Sequence, residues 1–139
     1  MTGKAFLDTN ILVYASDRDS PWKRERAQAL VADLSGRAVV STQVLQEYFV
    51  ATTRKLNVEP LRAKDAIRAT RSSAEIITVT PDLIDRAIDL AVLLPVSFWD
   101  GLILSAAESA ACTVVYSEDL NPGQRYAGVT VLNPFLEAS

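Results

Sequence analysis

Five short apolar runs, rich in Val, Ile or aromatic residues, punctuate the chain at Ala5–Leu7, Ala38–Ser41, 75–79, 113–116 and Val129–Leu132. Runs of this length and composition read as β-strands. Between most of them the period changes to that of helices. Ser20 stands as an N-cap before Pro21, and Ala27, Leu30, Val31 and Leu34 follow at i, i+3, i+4, i+7 until Gly36 ends the pattern. A second helix follows Ser41 and carries Val44, Leu45, Tyr48 and Phe49. A third, near 61–71, is rich in Arg and Lys and weaker in pattern. Thr80-Pro81 opens a fourth with Leu83, Ile84, Ala87, Ile88 and Ala91 inward, closed by Pro95, and Ser97 opens a fifth that runs through 101–111. An Asn-Pro-Gly turn at 121–123 precedes the last strand. Strands alternating with helices predict an α/β fold with a five-stranded, mostly parallel sheet covered on both faces. With 139 residues, no internal repeat and no linker, residues 1–139 are expected to form a single domain.

The absences narrow the chemistry. The chain has no histidine, which removes Ser-His-Asp and Cys-His catalysis and His-ligated metals. Its one cysteine, Cys112, forms no internal disulfide and no Cys-based zinc site, and reads as a small buried hydrophobe. Hydrolysis, if it occurs, must run on carboxylates, Lys, Tyr, Ser/Thr or a metal ion. A net charge of −3 lends no support to nucleic-acid binding and does not exclude it. No apolar run reaches the roughly 20 residues needed to span a bilayer, and the opening MTGKAFLDTN lacks the apolar stretch of a signal peptide. The expected location is cytoplasmic, with no membrane partner.

Four acids occupy related places in this pattern. Asp8 directly follows the first strand, and Asp119 follows the fourth in Tyr-Ser-Glu-Asp. Parallel strands end on one edge, so these two meet there if their strands are neighbours. Glu47 lies about two turns into the helix leaving the second strand from that edge. Asp100 lies in the first turn of a helix whose far end feeds the fourth strand, so its start belongs to the same edge. Open α/β sheets bind ligands at that edge. Four carboxylates in one crevice repel one another unless some are protonated or a cation neutralises them. Oxygen-only donors favour Mg²⁺, with Mn²⁺ as a substitute.

Each acid also has an ordinary reading. Asp8 caps the next segment, Ser97 and Asp100 match a capping box, Asp119 is a turn residue, and Glu47 is a Glu at a helix rim. Only their joint placement favours function. Thr9 and Ser117 flank the acids and are candidates to orient a water or phosphate; Asn10 either does the same or begins a helix. Glu118 is expected to point away if Asp119 points in. The Arg and Lys residues at 23, 24, 26, 54, 55, 62, 64, 68 and 71 are candidates to contact RNA or an acidic partner, though most read as solvated helix faces. Trp22, Phe98 and Trp99 are candidates for base stacking or a dimer interface, with core packing the default for Phe98.

The motifs themselves are distinctive. Phe-Leu-Asp8-Thr-Asn-Ile-Leu-Val-Tyr-Ala resembles the opening motif of PIN-domain nucleases, and Ser97-Phe-Trp-Asp100-Gly-Leu-Ile-Leu-Ser-Ala-Ala resembles their third acidic motif. Tyr-Ser-Glu-Asp119-Leu-Asn-Pro-Gly-Gln, with the following Gly-Val-Thr-Val-Leu-Asn-Pro-Phe, is similar to the ending of VapC toxins. Glu47, in Gln-Val-Leu-Gln-Glu-Tyr-Phe, sits where the family's second acid belongs. The resemblance implies a three-layer α/β/α fold and a Mg²⁺-dependent endoribonuclease. It also implies a homodimeric toxin of a type II toxin–antitoxin pair, inhibited by an antitoxin over its active-site groove. It implies Asp8 and Asp100 as principal metal ligands, Asp119 as a further ligand, and Glu47 as ligand or water-orienting base. Ser117 matches a position often Ser or Thr. Gly101 stands where Ala is common, and is expected to loosen its helix turn slightly. A DNA or structure-specific nuclease and a catalytically silent binding module remain as alternatives.

Overall fold

The computed structural model describes residues 3–136. Its elements, in chain order, are β1 (Ala5–Leu7), α1 (Thr9–Ala15), α2 (Pro21–Asp33), β2 (Ala38–Ser41), α3 (Thr42–Lys55), α4 (Pro60–Ser73), β3 (Glu75–Ile77), α5 (Pro81–Leu93), α6 (Phe98–Ser109), β4 (Val114–Tyr116), β5 (Arg125–Tyr126) and β6 (Val129–Leu132). The sheet runs β3-β2-β1-β4-β6-β5, parallel throughout except for the β5–β6 pair. It is flanked by helices in an α/β/α arrangement.

The chain builds outward twice from the centre. From β1 it passes through α1 and α2 to β2, then through α3 and α4 to β3 at one edge. It then crosses back through α5 and α6 to β4, on the other side of β1. Parallel crossovers are right-handed, so these opposite directions of travel place α1–α4 on one face and α5–α6 on the other. Strands β1 and β4 are adjacent and connect in opposite directions. The crevice at their carboxyl ends is the switch point where such sheets open.

The core follows from burial on both faces. β1 and β2 are buried at every position, as are residues 101–107 of α6, which lies between the sheet and α5. Gly101 has a packing role there. A Cβ added to it would lie 2.8 Å from the Ala87 carbonyl oxygen of α5. Its lack of a side chain permits close helix contact, which the propensity-based expectation of a loosened turn did not foresee.

Several expectations shift. The sheet has six strands instead of five. The extra strand, β5, has only two residues, too short to show a period. It is made by a two-residue hairpin loop in which Ala127 (φ 52°) and Gly128 (φ 80°) both take positive φ, as a type I′ turn requires. A seven-residue helix, α1, occupies 9–15 where the sequence offered only a helix start at Asn10. β3 stops at Ile77 instead of 79, because its neighbour β2 ends at Ser41 and α3 begins. The Val79 N–H goes to the Thr42 side chain instead of a ladder. Ser20 occupies the N-cap of α2 but makes no side-chain capping bond, leaving Pro21 to set the helix start. On α5 the buried residues are Ala87 and Leu90, whereas Ile84 and Ile88, expected inward, are 38% and 47% exposed. With α6 beneath it, α5 is an outer helix and has only one inward face. No described helix is long and apolar enough to cross a membrane.

Candidate active site

β1 delivers Asp8 to the switch point. Its backbone N–H donates to the Tyr116 carbonyl of β4 at 3.0 Å, extending the sheet ladder by one bond. The residue then turns the chain into α1 as its N-cap, with Oδ1 accepting from the Thr9 N–H at 2.7 Å. The cap reading is therefore true, and it leaves Oδ2 free for other work. That oxygen accepts from Ser117 Oγ at 2.7 Å, across the β1–β4 junction. Ser117 is wholly buried, and its Oγ also accepts from the Asp119 N–H at 3.1 Å, which fixes the turn carrying Asp119.

The next two residues reach other acids. Thr9 Oγ1 donates to Glu47 Oε1 at 2.6 Å, joining α1 to α3. Asn10 Nδ2 donates to Asp119 Oδ2 at 3.1 Å, while Asn10 Oδ1 accepts from the Glu118 N–H at 3.2 Å. Glu118 itself turns away, as the sequence led one to expect. It accepts from Lys23 Nζ at 2.5 Å and from the Tyr14 hydroxyl at 2.9 Å. Asp100 sits in the first turn of α6, whose N-cap Ser97 accepts from the Asp100 N–H at 3.1 Å.

The electrostatics tie the four acids together. Asp8 is only 5% exposed, and burial pushes its carboxyl from the ordinary 3.8 up to about 6, with the charges of Asp119 and Asp100 adding to the rise against the hydrogen bonds from Ser117 and Thr9. Burial also raises the Asp100 carboxyl, and the charges of Asp119 and Glu47 add to it. Thus each acid stands in the field of at least one other. They do not form a closed cage: among the described residues no three Asp, Glu or Cys side chains are gathered tightly enough to hold a metal ion as placed. The donor set nevertheless suits a hard divalent cation. It is oxygen only, it comes from four separate segments of the chain, and the ionised forms of Asp8 and Asp100 are opposed by burial and by neighbouring carboxylates, which a cation would relieve.

The remaining candidates separate cleanly. Trp22 and Trp99 are 52% and 61% exposed, and Phe98 is half-buried with its ring edge-on to Trp99 at 5.1 Å. Cys112 is buried, which pushes its thiol up to about 11 and leaves it unreactive. A cavity of about 820 Å³ between α1, α2 and the α3–α4 connection, with Arg18, Arg24 and Arg62 in its wall, contains none of the four acids. Two local features escaped the sequence: the Lys23–Glu118–Tyr14 cluster, and Gln43, whose Nε2 donates to Glu47 Oε2 at 3.4 Å. Spacing alone could have flagged Gln43, since it lies one helical turn before Glu47.

The comparisons agree on the fold. The structure is similar to the VapC20 toxin of Mycobacterium tuberculosis, described as cleaving the sarcin–ricin loop, with TM-score 0.68, 22% identity, and coverage of 84% of this chain and 90% of that one. It is similar to a toxin–antitoxin complex from Klebsiella pneumoniae, with TM-score 0.71, 20% identity, and coverage of 95% and 98%. DNA-bound VapBC from Salmonella typhimurium gives TM-score 0.71 at 20% identity, covering 96% and 99%. No curated protein matches the sequence. The sequence does match the PIN domain over residues 5–127, nearly its whole length. With that match and the α/β/α sheet in place, the chain belongs to the PIN domain family.

Proposed function

We propose that this chain, as a single PIN domain, is a Mg²⁺-dependent endoribonuclease that also accepts Mn²⁺, and that it acts in the cytoplasm as the toxin of a type II toxin–antitoxin pair. The observation that carries this reading is the convergence of Asp8, Glu47, Asp100 and Asp119 at the switch point, in a chain with no histidine to run the chemistry otherwise. Asp8, Asp100 and Asp119 would hold the ion, and Glu47 would serve as a ligand or as the base that orients water. The ion, when bound, supplies an activated water and offsets charge on the phosphodiester. Thr9, Asn10 and Ser117 hold the acids: each donates a hydrogen bond to one carboxylate, which fixes its rotamer.

Attack by water leaves a 5′-phosphate and a 3′-hydroxyl, because the ribose 2′-hydroxyl is not the nucleophile. The test is end-analysis of RNA digested by purified protein, with and without EDTA. Cyclic phosphate products, or full activity in EDTA, refute the mechanism. The toxin role rests on the fold shared with the Klebsiella and Salmonella toxin–antitoxin complexes. It predicts growth arrest on expression, relief by a cognate antitoxin, and loss of toxicity in Asp8→Asn. Toxicity that survives Asp8→Asn supports a silent binding module instead. A homodimer is supported by the exposed apolar ridge of α5, where Ile84, Ile88 and Val92 align at i, i+4, i+8. Light scattering on Ile88→Arg tests it: an unchanged dimer rules out this ridge.

A further inference from the structure

Gln43 is the buried polar side chain at the site that the roles above leave unused. It lies in the first turn of α3 and is 5% exposed. Its Nε2 donates to Glu47 Oε2 at 3.4 Å and to the Trp99 backbone carbonyl at 3.3 Å. Its Oε1 is buried and meets no hydrogen-bond donor among the described residues. The orientation of the amide follows from chemistry. Turned by 180°, the amide would set Oε1 against a carboxylate and a carbonyl, both acceptors.

The side chain therefore leaves one buried acceptor unmet in order to donate twice. Native folds contain few such groups, because a buried acceptor without a donor is destabilising. A need for volume alone would be met better by Met or Leu, which are stronger helix formers or their equals and carry no orphan oxygen. What only an amide supplies here is the pair of N–H groups.

Those two donors act on two parts of the site. Glu47 Oε1 is already held by Thr9 from α1, so the bond from Gln43 secures the other oxygen. The bond to Trp99 secures the residue just before Asp100, in the first turn of α6. Among the described residues it is the hydrogen bond that joins α3 to α6. We propose that Gln43 is a positioning residue that couples Glu47 to the helix turn carrying Asp100, so that the two carboxylates face one cation at a set separation. This inference rests on the metal-dependent nuclease reading above.

The experiment compares wild type, Gln43→Met and the control Gln46→Met, an exposed neighbour on α3. It measures Mn²⁺ affinity by electron paramagnetic resonance of free Mn²⁺, kcat and KM on an RNA oligonucleotide, and Tm in EDTA. Loss of a group that orients metal ligands commonly costs on the order of ten- to hundredfold in metal affinity or activity. Gln43→Met is expected to lose that much in Mn²⁺ affinity and kcat, with KM within about twofold and Tm equal to or above wild type. Gln46→Met is expected to match wild type. Mn²⁺ affinity and kcat within twofold of wild type overturn the proposal. So does a fall in Tm with normal Mn²⁺ affinity, which marks a merely structural role. If Gln43→Met is recovered unfolded, Gln43→Leu replaces it, and collapse of both variants also overturns the proposal. Wild-type protein that binds Mn²⁺ without cleaving RNA removes the nuclease reading, while the Mn²⁺ comparison still decides the role of Gln43. Wild-type protein that binds no Mn²⁺ removes both.

Discussion

Replacing Asp8 by Asn should stabilise the metal-free protein at neutral pH while abolishing activity. The Asp8 carboxyl is pushed from 3.8 up to about 6, first by burial and then by Asp119 and Asp100. That displacement means the ionised form is disfavoured in the fold by roughly 3 kcal/mol relative to the unfolded chain. The folded state binds the extra proton between about pH 4 and 6. Stability from this group is therefore full near or below pH 4 and is lost as the pH rises through about 6. Asn cannot ionise and escapes this loss. It does forfeit one acceptor: Ser117 Oγ, which donates to Oδ2 and already accepts from the Asp119 N–H, would face an amide N–H instead. A disturbed hydrogen bond of this kind costs about 1 to 2 kcal/mol. The net expectation is a gain of roughly 1 to 2 kcal/mol at pH 7.5 and a loss of similar size near pH 4.

Urea denaturation of both proteins in EDTA, across pH 4 to 8, measures the difference directly. The sign of the stability difference should cross over within the window set by Asp8. A difference that stays constant with pH, or an Asp8→Asn protein less stable than wild type at pH 7.5, refutes the reasoning. Asp8 would then be adequately solvated or already neutralised by its neighbours.

The same electrostatics make further predictions. Mg²⁺ or Mn²⁺ should raise the Tm of the wild type, with about 2.7 kcal/mol gained at a free concentration 100 times Kd; a differential scan of Asp8→Asn with added metal should show little of this gain. Asn10→Ala frees Asp119 and leaves the Glu118 N–H without its partner, so kcat should fall about tenfold or more with a small change in Tm, and equal kcat in the two proteins would remove Asn10 from the site. Gly101→Ala drives a methyl against a backbone oxygen that cannot swing aside. Overpacking of roughly 1 to 3 kcal/mol should outweigh about 1 kcal/mol of helix propensity, and a stabilised variant in chemical denaturation would show that α5 yields.

Sequence spacing located much of the candidate site because topology and motif order are linked. Asp8, Ser117 and Asp119 follow strand ends, and strand ends in a parallel sheet share an edge. What stayed hidden depends on interactions between distant segments. Ile84 and Ile88 fit an inward stripe by period, yet only the packing of α6 beneath α5 decides which stripe is buried. β5 exists because Ala127 and Gly128 adopt positive φ together, and an alanine gives no advance sign of that conformation. Gln43 reads as an ordinary polar helix residue until Trp99, 56 positions later, arrives beside it. The four acids needed only the order of the strands, whereas their supports needed the tertiary structure.

Asp8, Thr9 and Asn10 show how a three-residue motif can organise a candidate site drawn from four segments. Successive residues at the start of a helix project about 100° apart. Placed as the N-cap and first two positions of α1, the three side chains therefore point to three different neighbours. Asp8 meets Ser117 on the turn after β4, Thr9 meets Glu47 on α3, and Asn10 meets both Glu118 and Asp119 on the loop beyond β4. A strand would send the same residues alternately to two faces and could not reach all three. The short helix α1, invisible as a hydrophobic pattern, is thus the element that distributes the support. Asp100 alone receives nothing from this triplet. Its placement depends on the Ser97 cap and on the turn of α6 that Gln43 tethers to α3. The α1 triplet holds three acids from one side and the α6 cap holds the fourth from the other, and Gln43 links the two groups through Glu47 and the Trp99 carbonyl, so a cation between them would be gripped by ligands anchored from two sides. Loss of either anchor should weaken the metal without unfolding the sheet that carries them.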